Sequence, residues 1–335
     1  MQAIQLDAVH QPVVLRDVPA PVPGPGEILV RLRAAALNHR DVWIQKGQYA
    51  GIALPCTLGA DGVGEVAAWG LGVPADAPAV GSRVIVNPGR RWGTSQTAQA
   101  KDFVVLGMPD PGTFAEYITA AAQYIRPLPA HLTDAQGAAL PLAGLTGYRA
   151  AFARARAQPG ERVLVTGIGG GVAIVAAQLC VAHGCEVWGT SGSDDKLARL
   201  SALGLRGGIN YQTDGWARTL VKQAGGPFDV IIDSAGGPAF GALLDAAAPG
   251  GRIVFYGGTL GNIPDVPPGK VFWKQLSILG SSMGSEQDFD DLLAFVTEHK
   301  LVPVVDGIFP LAEAEAALRR LEAGQQFGKI VLQIA

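Results

Sequence analysis

Cysteine is nearly missing from this chain: three in 335 residues, Cys56, Cys180 and Cys185, with no Cys-x-x-Cys pair. That excludes a disulfide framework and a cysteine-built zinc site, and a reducing cytoplasm suits such usage. Long apolar runs are missing too. A membrane span needs about 20 consecutive apolar residues, whereas the longest greasy stretch, Val172 to Ala182, is already interrupted by Gln178. No membrane association is expected. Met1 to Pro12 has neither a basic leader nor a continuous apolar segment, so it does not read as a signal peptide. Charge of one sign is not in excess, because 26 Lys and Arg nearly balance 29 Asp and Glu for a net charge of -3. Without a basic run, nucleic acid is not an expected partner. With 48% hydrophobic residues the chain is not disordered either.

What is abundant is glycine, 45 residues, roughly twice average usage. Many tight turns or close backbone approaches to a ligand follow. Length predicts about two domains. The first third reads as short strands, clearest at Ile28 to Leu32, Gly62 to Ala67 and Arg83 to Val86, after a break rich in Pro and Gly between Pro19 and Gly26. From Arg162 the texture changes. Apolar strands at Arg162 to Thr166, Glu186 to Thr190, Phe228 to Asp233 and Arg252 to Tyr256 alternate with helical patterns at Gly171 to His183, Asp194 to Leu203 and Ala239 to Ala248. That order implies a doubly wound parallel sheet covered on both faces. Helices around Phe289 to Lys300 and Leu311 to Ala323 precede a terminal strand, Lys329 to Ile334, expected to return to the first domain.

The run from Arg162 to Ala173 joins a buried strand, a glycine turn and a helix start. Unpaired amides and the positive end of a helix dipole then face one point, where a diphosphate is stabilised. Gly169, Gly170, Gly171 and Val172 are the candidate contacts, although Gly167-x-Gly169 and Gly170-x-x-Ala173 compete for the register. At the tip of the second strand, where NAD enzymes usually carry Asp or Glu, this chain has Gly189-Thr190-Ser191-Gly192-Ser193. Ser191 can donate to a 2'-phosphate, and Lys196 adds positive charge, which favours NADPH. The plainer possibility is that Asp194 or Asp195 caps the helix and Lys196 is solvated.

With those residues placed, the chain resembles the medium-chain dehydrogenase/reductase family, in its zinc-independent, quinone oxidoreductase-like branch. The blocks that carry the resemblance are Ala36-Leu-Asn-His-Arg-Asp41, Leu58-Gly-Ala-Asp-Gly-Val-Gly-Glu65, Gly112-Thr-Phe-Ala-Glu-Tyr117, Leu142-Ala-Gly-Leu-Thr-Gly-Tyr148 and Gly328-Lys-Ile-Val-Leu332. The family implies a Rossmann domain, here 125–289, inserted into a GroES-like β-rich catalytic domain, here 1–124 plus 290–335. Zinc-dependent members carry Cys, His and a third ligand where this sequence has Asn38, Ala60 and Pro141-Leu142-Ala143, so no zinc is expected. The structural-zinc lobe, Gly89 to Gly112, has no cysteine either. It is held by packing, with Trp92, Phe103 and Leu106 as anchors, or it is a mobile loop.

Loss of zinc removes the electrophile that would lower the pKa of an alcohol. The resemblance therefore implies an NADPH-dependent reductase of quinones, enones or related carbonyl compounds. The alternatives are metal-free alcohol or aldehyde oxidoreduction, and a non-catalytic NADPH-binding structural, sensor or RNA-associated protein. Asn38 would orient the nicotinamide ribose or substrate oxygen and Asp41 would order that loop, although a turn residue and a helix cap are equally open for them. His39, Trp43 and Leu142 would line the substrate pocket, against a surface His and a core Trp. By resemblance Thr146 faces the nicotinamide, Tyr211 the adenosine phosphate, and Lys329 the cofactor cleft. Ser234, Tyr256 and Gly257 follow strands at the carboxyl edge of the sheet, where ligands bind in such folds. A homodimer is expected by analogy, through sheet edges near Gly251 to Gly258 and Leu276 to Ser282.

Overall fold

The computed structural model describes residues 1–334. It divides into two compact units, one made of Met1–Ala143 with the chain from Gly284 onward, the other of Gly144–Met283. These limits differ from the expected 124/125 and 289/290. Residues Ile125–Pro127 pair antiparallel with Val84–Val86 and so extend the first unit's sheet. The helix Glu286–Glu298 begins earlier than expected because Ser285 and Asp288 form a reciprocal cap, each backbone N–H donating to the other's side chain at 2.8 and 3.1 Å.

The first unit is built on a seven-stranded sheet centred on Glu27–Ala36. That strand pairs with Asp61–Trp69 and Tyr117–Ala121, and Ala34–Ala36 pairs with the returning terminal strand at Val331–Gln333. The terminal strand expected from Lys329 to Ile334 does return to the first unit, as Lys329–Gln333. Its apolar residues Ile330 and Leu332 join Ile28, Val30, Leu32 and Phe114 in one core cluster. The lobe from Gly89 to Gly112 is ordered by packing. Gly89–Arg90 pairs with Val104–Val105, Trp92 and Leu106 are buried, and the Trp92 and Phe103 rings meet edge to face at 5.2 Å.

The second unit is a six-stranded, wholly parallel sheet in the order Gly207–Asn210, Glu186–Ser191, Arg162–Val165, Phe228–Asp233, Ala247–Phe255, Ser277–Gly280. Numbered along the chain this is 3-2-1-4-5-6, the Rossmann order. The Gly207–Asn210 strand escapes sequence patterning because it reads Gly-Gly-Ile-Asn. Its place requires glycine: a Cβ on Gly208 would lie 2.5 Å from the Gly189 carbonyl oxygen. The helix expected from Asp194 to Leu203 is instead Asp194–Leu197 followed by a 3-10 turn, Ser201–Leu203, closed by Gly204 at φ 81°. Ala247–Phe255 has a neighbour on each side, so it offers no free edge for the pairing expected near Gly251 to Gly258. Ser277–Gly280 does.

Candidate active site

In the first unit the functional candidates sit around one buried ion pair. Asn38 follows the central strand by two residues and is the N-cap of the short helix His39–Gln45. Lys329 opens the terminal strand, and Asp61 opens the strand on the other side. All three are buried. The Lys329 ammonium donates to the Leu37 carbonyl at 2.6 Å, to Asn38 Oδ1 at 2.6 Å and to Asp61 Oδ2 at 2.9 Å. Asn38 Nδ2 donates to Asp61 Oδ2 at 2.9 Å, and the Leu142 backbone N–H donates to Asp61 Oδ1 at 2.8 Å. The Asn38 amide is thereby oriented from both ends, its oxygen on a cation and its nitrogen on a carboxylate.

Asp61 stands in one of the quoted blocks but was not among the expected site residues. The signal for it is the pairing rule: Lys329 begins the apolar run Lys-Ile-Val-Leu, Asp61 stands in Gly-Ala-Asp-Gly-Val-Gly, and a lone charge inside such a strand needs an opposite one. Lys329 was expected at the cofactor. Its three N–H bonds go to Leu37, Asn38 and Asp61 within its own unit.

Asp41 is fully buried, and its Oδ2 accepts from the Asn38 backbone N–H at 2.8 Å. It shapes the loop and reaches no solvent. Its Oδ1 has no hydrogen-bond partner, with Arg40 Nη1 4.0 Å away. Desolvation pushes its pKa up to about 6, against the opposing pull of Arg40, the Asn38 amide and Lys329. Arg40 holds the lobe in place by donating to the Leu106 carbonyl at 2.8 Å and stacking over Tyr49 at 5.0 Å. His39 lies on the surface, its ring 6.1 Å from that of the half-buried Trp43. Leu142 is half-buried and contributes its backbone N–H to Asp61.

In the second unit the glycine turn has the backbone a phosphate cradle needs. Gly167 and Gly169 have φ of 68° and 134°, and Gly170 precedes the twelve-residue helix Gly171–Ala182 in extended conformation. No side chain caps that helix, so its first amides and dipole are available to an anion. Gly171 and Val172 form its half-buried first turn. A Cβ on Gly169 would meet Lys196 Cδ at 2.7 Å and Nζ at 3.1 Å, which places the lysine chain across the turn. The cap of the following helix is Ser193, whose Oγ accepts from the Lys196 N–H at 3.4 Å, whereas Asp194 accepts from Asn210 Nδ2 at 2.9 Å. Tyr211 packs its hydroxyl against Gly192, where a Cβ would lie 2.6 Å away. Ser191 Oγ accepts from the Ser193 N–H at 3.3 Å and keeps its own O–H to donate. Ser191, Gly192, Lys196 and Tyr211 thus gather at one corner of the sheet, with no carboxylate at the strand tip.

Ser234 is joined to this turn: its N–H donates to Thr166 Oγ1 at 3.0 Å and its Oγ to the Thr166 carbonyl at 3.3 Å. Thr166 in turn donates to Asp233 Oδ1 at 2.7 Å. Gly257 lies so close to Ser234 that a Cβ would be 2.3 Å from its carbonyl oxygen. The Tyr256 phenol is held well above its ordinary pKa by desolvation and by Asp233. Thr146 is buried and turned toward Met283, Oγ1 to Sδ 3.8 Å.

The residues present fit a dinucleotide in the second unit. They do not fit zinc in the first. An ammonium already occupies the oxygens of Asn38 and Asp61, and Ala60 has no donor. Among the described residues no three His, Cys, Asp or Glu side chains gather to hold a metal ion.

Two family models match the chain. "Alcohol dehydrogenase GroES-like domain" covers residues 24–130 and "Zinc-binding dehydrogenase" covers 171–298. Among curated proteins, the "Zinc-type alcohol dehydrogenase-like protein YogA" of Leptosphaeria maculans is 36% identical over 97% of this chain and 96% of its own length. A "Quinone oxidoreductase" of Mus musculus is 31% identical over 99% of this chain and 97% of its own length. A crystal structure described as an NAD-dependent alcohol dehydrogenase superposes with a TM-score of 0.94 at 38% identity, each chain covered fully at 100%.

Proposed function

The chain belongs to the medium-chain dehydrogenase/reductase family, an oxidoreductase with a GroES-like and a Rossmann domain, and we propose that it reduces quinones, enones or related carbonyl compounds with NADPH and without catalytic zinc. The observation that carries this reading is the Lys329 ammonium among the oxygens of Asn38 and Asp61. A divalent cation there would face a fixed positive charge. The likeness to the mouse quinone oxidoreductase supports the acceptor class.

Bound NADPH supplies a hydride from its nicotinamide C4. The protein's part is alignment, and stabilisation of the negative charge that develops on the acceptor oxygen. Asn38 keeps one Nδ2–H beyond the one engaged by Asp61, and this reading assigns that N–H to the acceptor oxygen. Lys329, its donors already used, acts by orienting Asn38 and through its field. Solvent delivers the proton.

NADPH over NADH is supported by Lys196 lying across Gly169, by the free Ser191 hydroxyl and by the absence of a carboxylate that would repel a 2'-phosphate. Protein dialysed against chelator should oxidise NADPH with enones and quinones and turn over simple alcohols poorly. Lys196→Ala should weaken NADPH about tenfold, equivalent to about 1.4 kcal/mol, and leave NADH unchanged. Metal-free alcohol turnover with NAD and no activity on enones or quinones would replace this reading with the second one. That second reading, metal-free oxidoreduction of alcohols and aldehydes, is favoured by the likeness to the NAD-dependent alcohol dehydrogenase.

We also propose that two copies pair through the second unit. The strand Ser277–Gly280 closes one side of its sheet, and an unpaired strand edge is a template for another chain. Just before it, Phe272 and Trp273 are 56% and 82% exposed, too apolar for a face meant for water. Sedimentation at micromolar concentration should give a dimer; a monomer rejects the proposal.

A further inference from the structure

Two of the three cysteines lie at one helix end and have no part in the chemistry above. The helix Gly171–Ala182 ends through Gly184, at φ 90°, with a paired closure: the Gly184 N–H donates to the Val181 carbonyl and the Cys185 N–H to the Cys180 carbonyl, both at 3.0 Å. This is the Schellman arrangement, in which the side chains at the two outer positions touch. An apolar pair usually fills those positions. Here they are Cys180 and Cys185, so the closure brings their side chains together. Cys180 is completely buried, whereas Cys185 is half-exposed and donates from Sγ to the Gln158 carbonyl at 3.4 Å.

We propose that Cys180 and Cys185 are a redox-active dithiol, oxidised by small-molecule disulfides to an internal disulfide. Geometry divides the roles. Only Cys185 meets solvent, and the neighbouring Cys180 thiol lowers its pKa, which raises its thiolate fraction. Cys180 is held well above the ordinary thiol value by the neighbouring Cys185 and by burial, so it acts second. The Cys185 thiolate attacks one sulfur of the external disulfide and expels a thiolate, leaving a mixed disulfide. Cys180 then loses its proton to an expelled thiolate and attacks Cys185 Sγ, releasing the second thiol. The protein loses two electrons and two protons, and one external disulfide becomes two thiols.

Cys56 is the internal control. It lies buried in the strand Cys56–Thr57 of the other unit, and desolvation pushes its pKa up to about 11. The whole folded protein should be treated with oxidised glutathione, cleared of reagent, unfolded in maleimide and digested with trypsin. Of the three cysteines only Cys56 should then be labelled. The peptide from Val163 to Lys196, which holds both partners, should be unlabelled and lighter by two hydrogens, and reduction should reverse this. Cys185→Ser should leave Cys180 unreacted, and Cys180→Ala should stop at the mixed disulfide on Cys185. Full labelling of wild type, a lasting mixed disulfide in wild type, or a bridge between two chains would overturn the proposal.

Discussion

Replacing Lys329 by Met should destabilise the first unit by about 3–5 kcal/mol, the range for removing one partner of a buried ion pair. The ammonium is enclosed by three oxygens at 2.6 to 2.9 Å, and none of them can turn to water when it is gone. Asp61 has no surface exposure, and after the substitution it keeps only the Leu142 amide and Asn38 Nδ2. Adding Asp61→Asn should recover part of the loss, because the unpaired charge is then removed as well. The comparison is made on the unfolding transition of the first unit, since a two-unit chain need not unfold in one step. A loss below about 1 kcal/mol in the single variant would mean that the pair is solvated and that the Asn38 amide is not fixed as described. In variants that remain folded, kcat should fall while NADPH affinity holds, because the cofactor turn belongs to the other unit.

The legible parts of the sequence were those in which one local signal decides the outcome. Phe228–Asp233 and Arg83–Val86 are short apolar runs bounded by turns, and both strands keep the expected limits. The glycine turn from Gly167 to Gly171 is specified by residues adjacent in the chain, so its geometry could be read directly. Illegible parts depend on partners far apart. Nothing near Gly207 announces a strand; only the approach of Gly208 to the Gly189 carbonyl explains why two glycines stand there. Asp61 and Lys329 are separated by 268 residues, and their pairing becomes visible only when the terminal strand is laid against the central one. The early start of the Glu286–Glu298 helix was present in the sequence as Ser285 and Asp288, but an Asp in place of the usual Glu or Gln made the cap easy to miss. Asp41 was expected to act at the catalytic centre or cap a helix. Its burial and its bond to the Asn38 backbone N–H agree with the second role, which no signal near Asp41 in the sequence separates from the first.

That burial gives Asp41 a pH signature. In the unfolded chain its carboxyl has a pKa of 3.8, and in the fold desolvation raises this to about 6. Between those values the folded protein binds a proton that the unfolded chain has released. Stability from this group is therefore complete below the unfolded value and is lost as pH rises through about 6. Two pKa units at about 1.4 kcal/mol each make the ionised carboxylate a penalty of about 3 kcal/mol at neutral pH and above. Asp41→Asn keeps an acceptor for the Asn38 N–H and cannot ionise. Its stability relative to wild type should accordingly rise by about 3 kcal/mol between about pH 4 and about pH 8, with most of the change above the unfolded pKa and below about pH 7. Equilibrium unfolding of both proteins across that interval measures the difference directly. A difference that stays flat with pH would mean that Arg40, 4.0 Å from the unpaired oxygen, already neutralises the charge. A difference that falls with pH would mean that the carboxylate stabilises the loop as an anion, and the assignment of Asp41 as a buried, reluctant acid would be wrong.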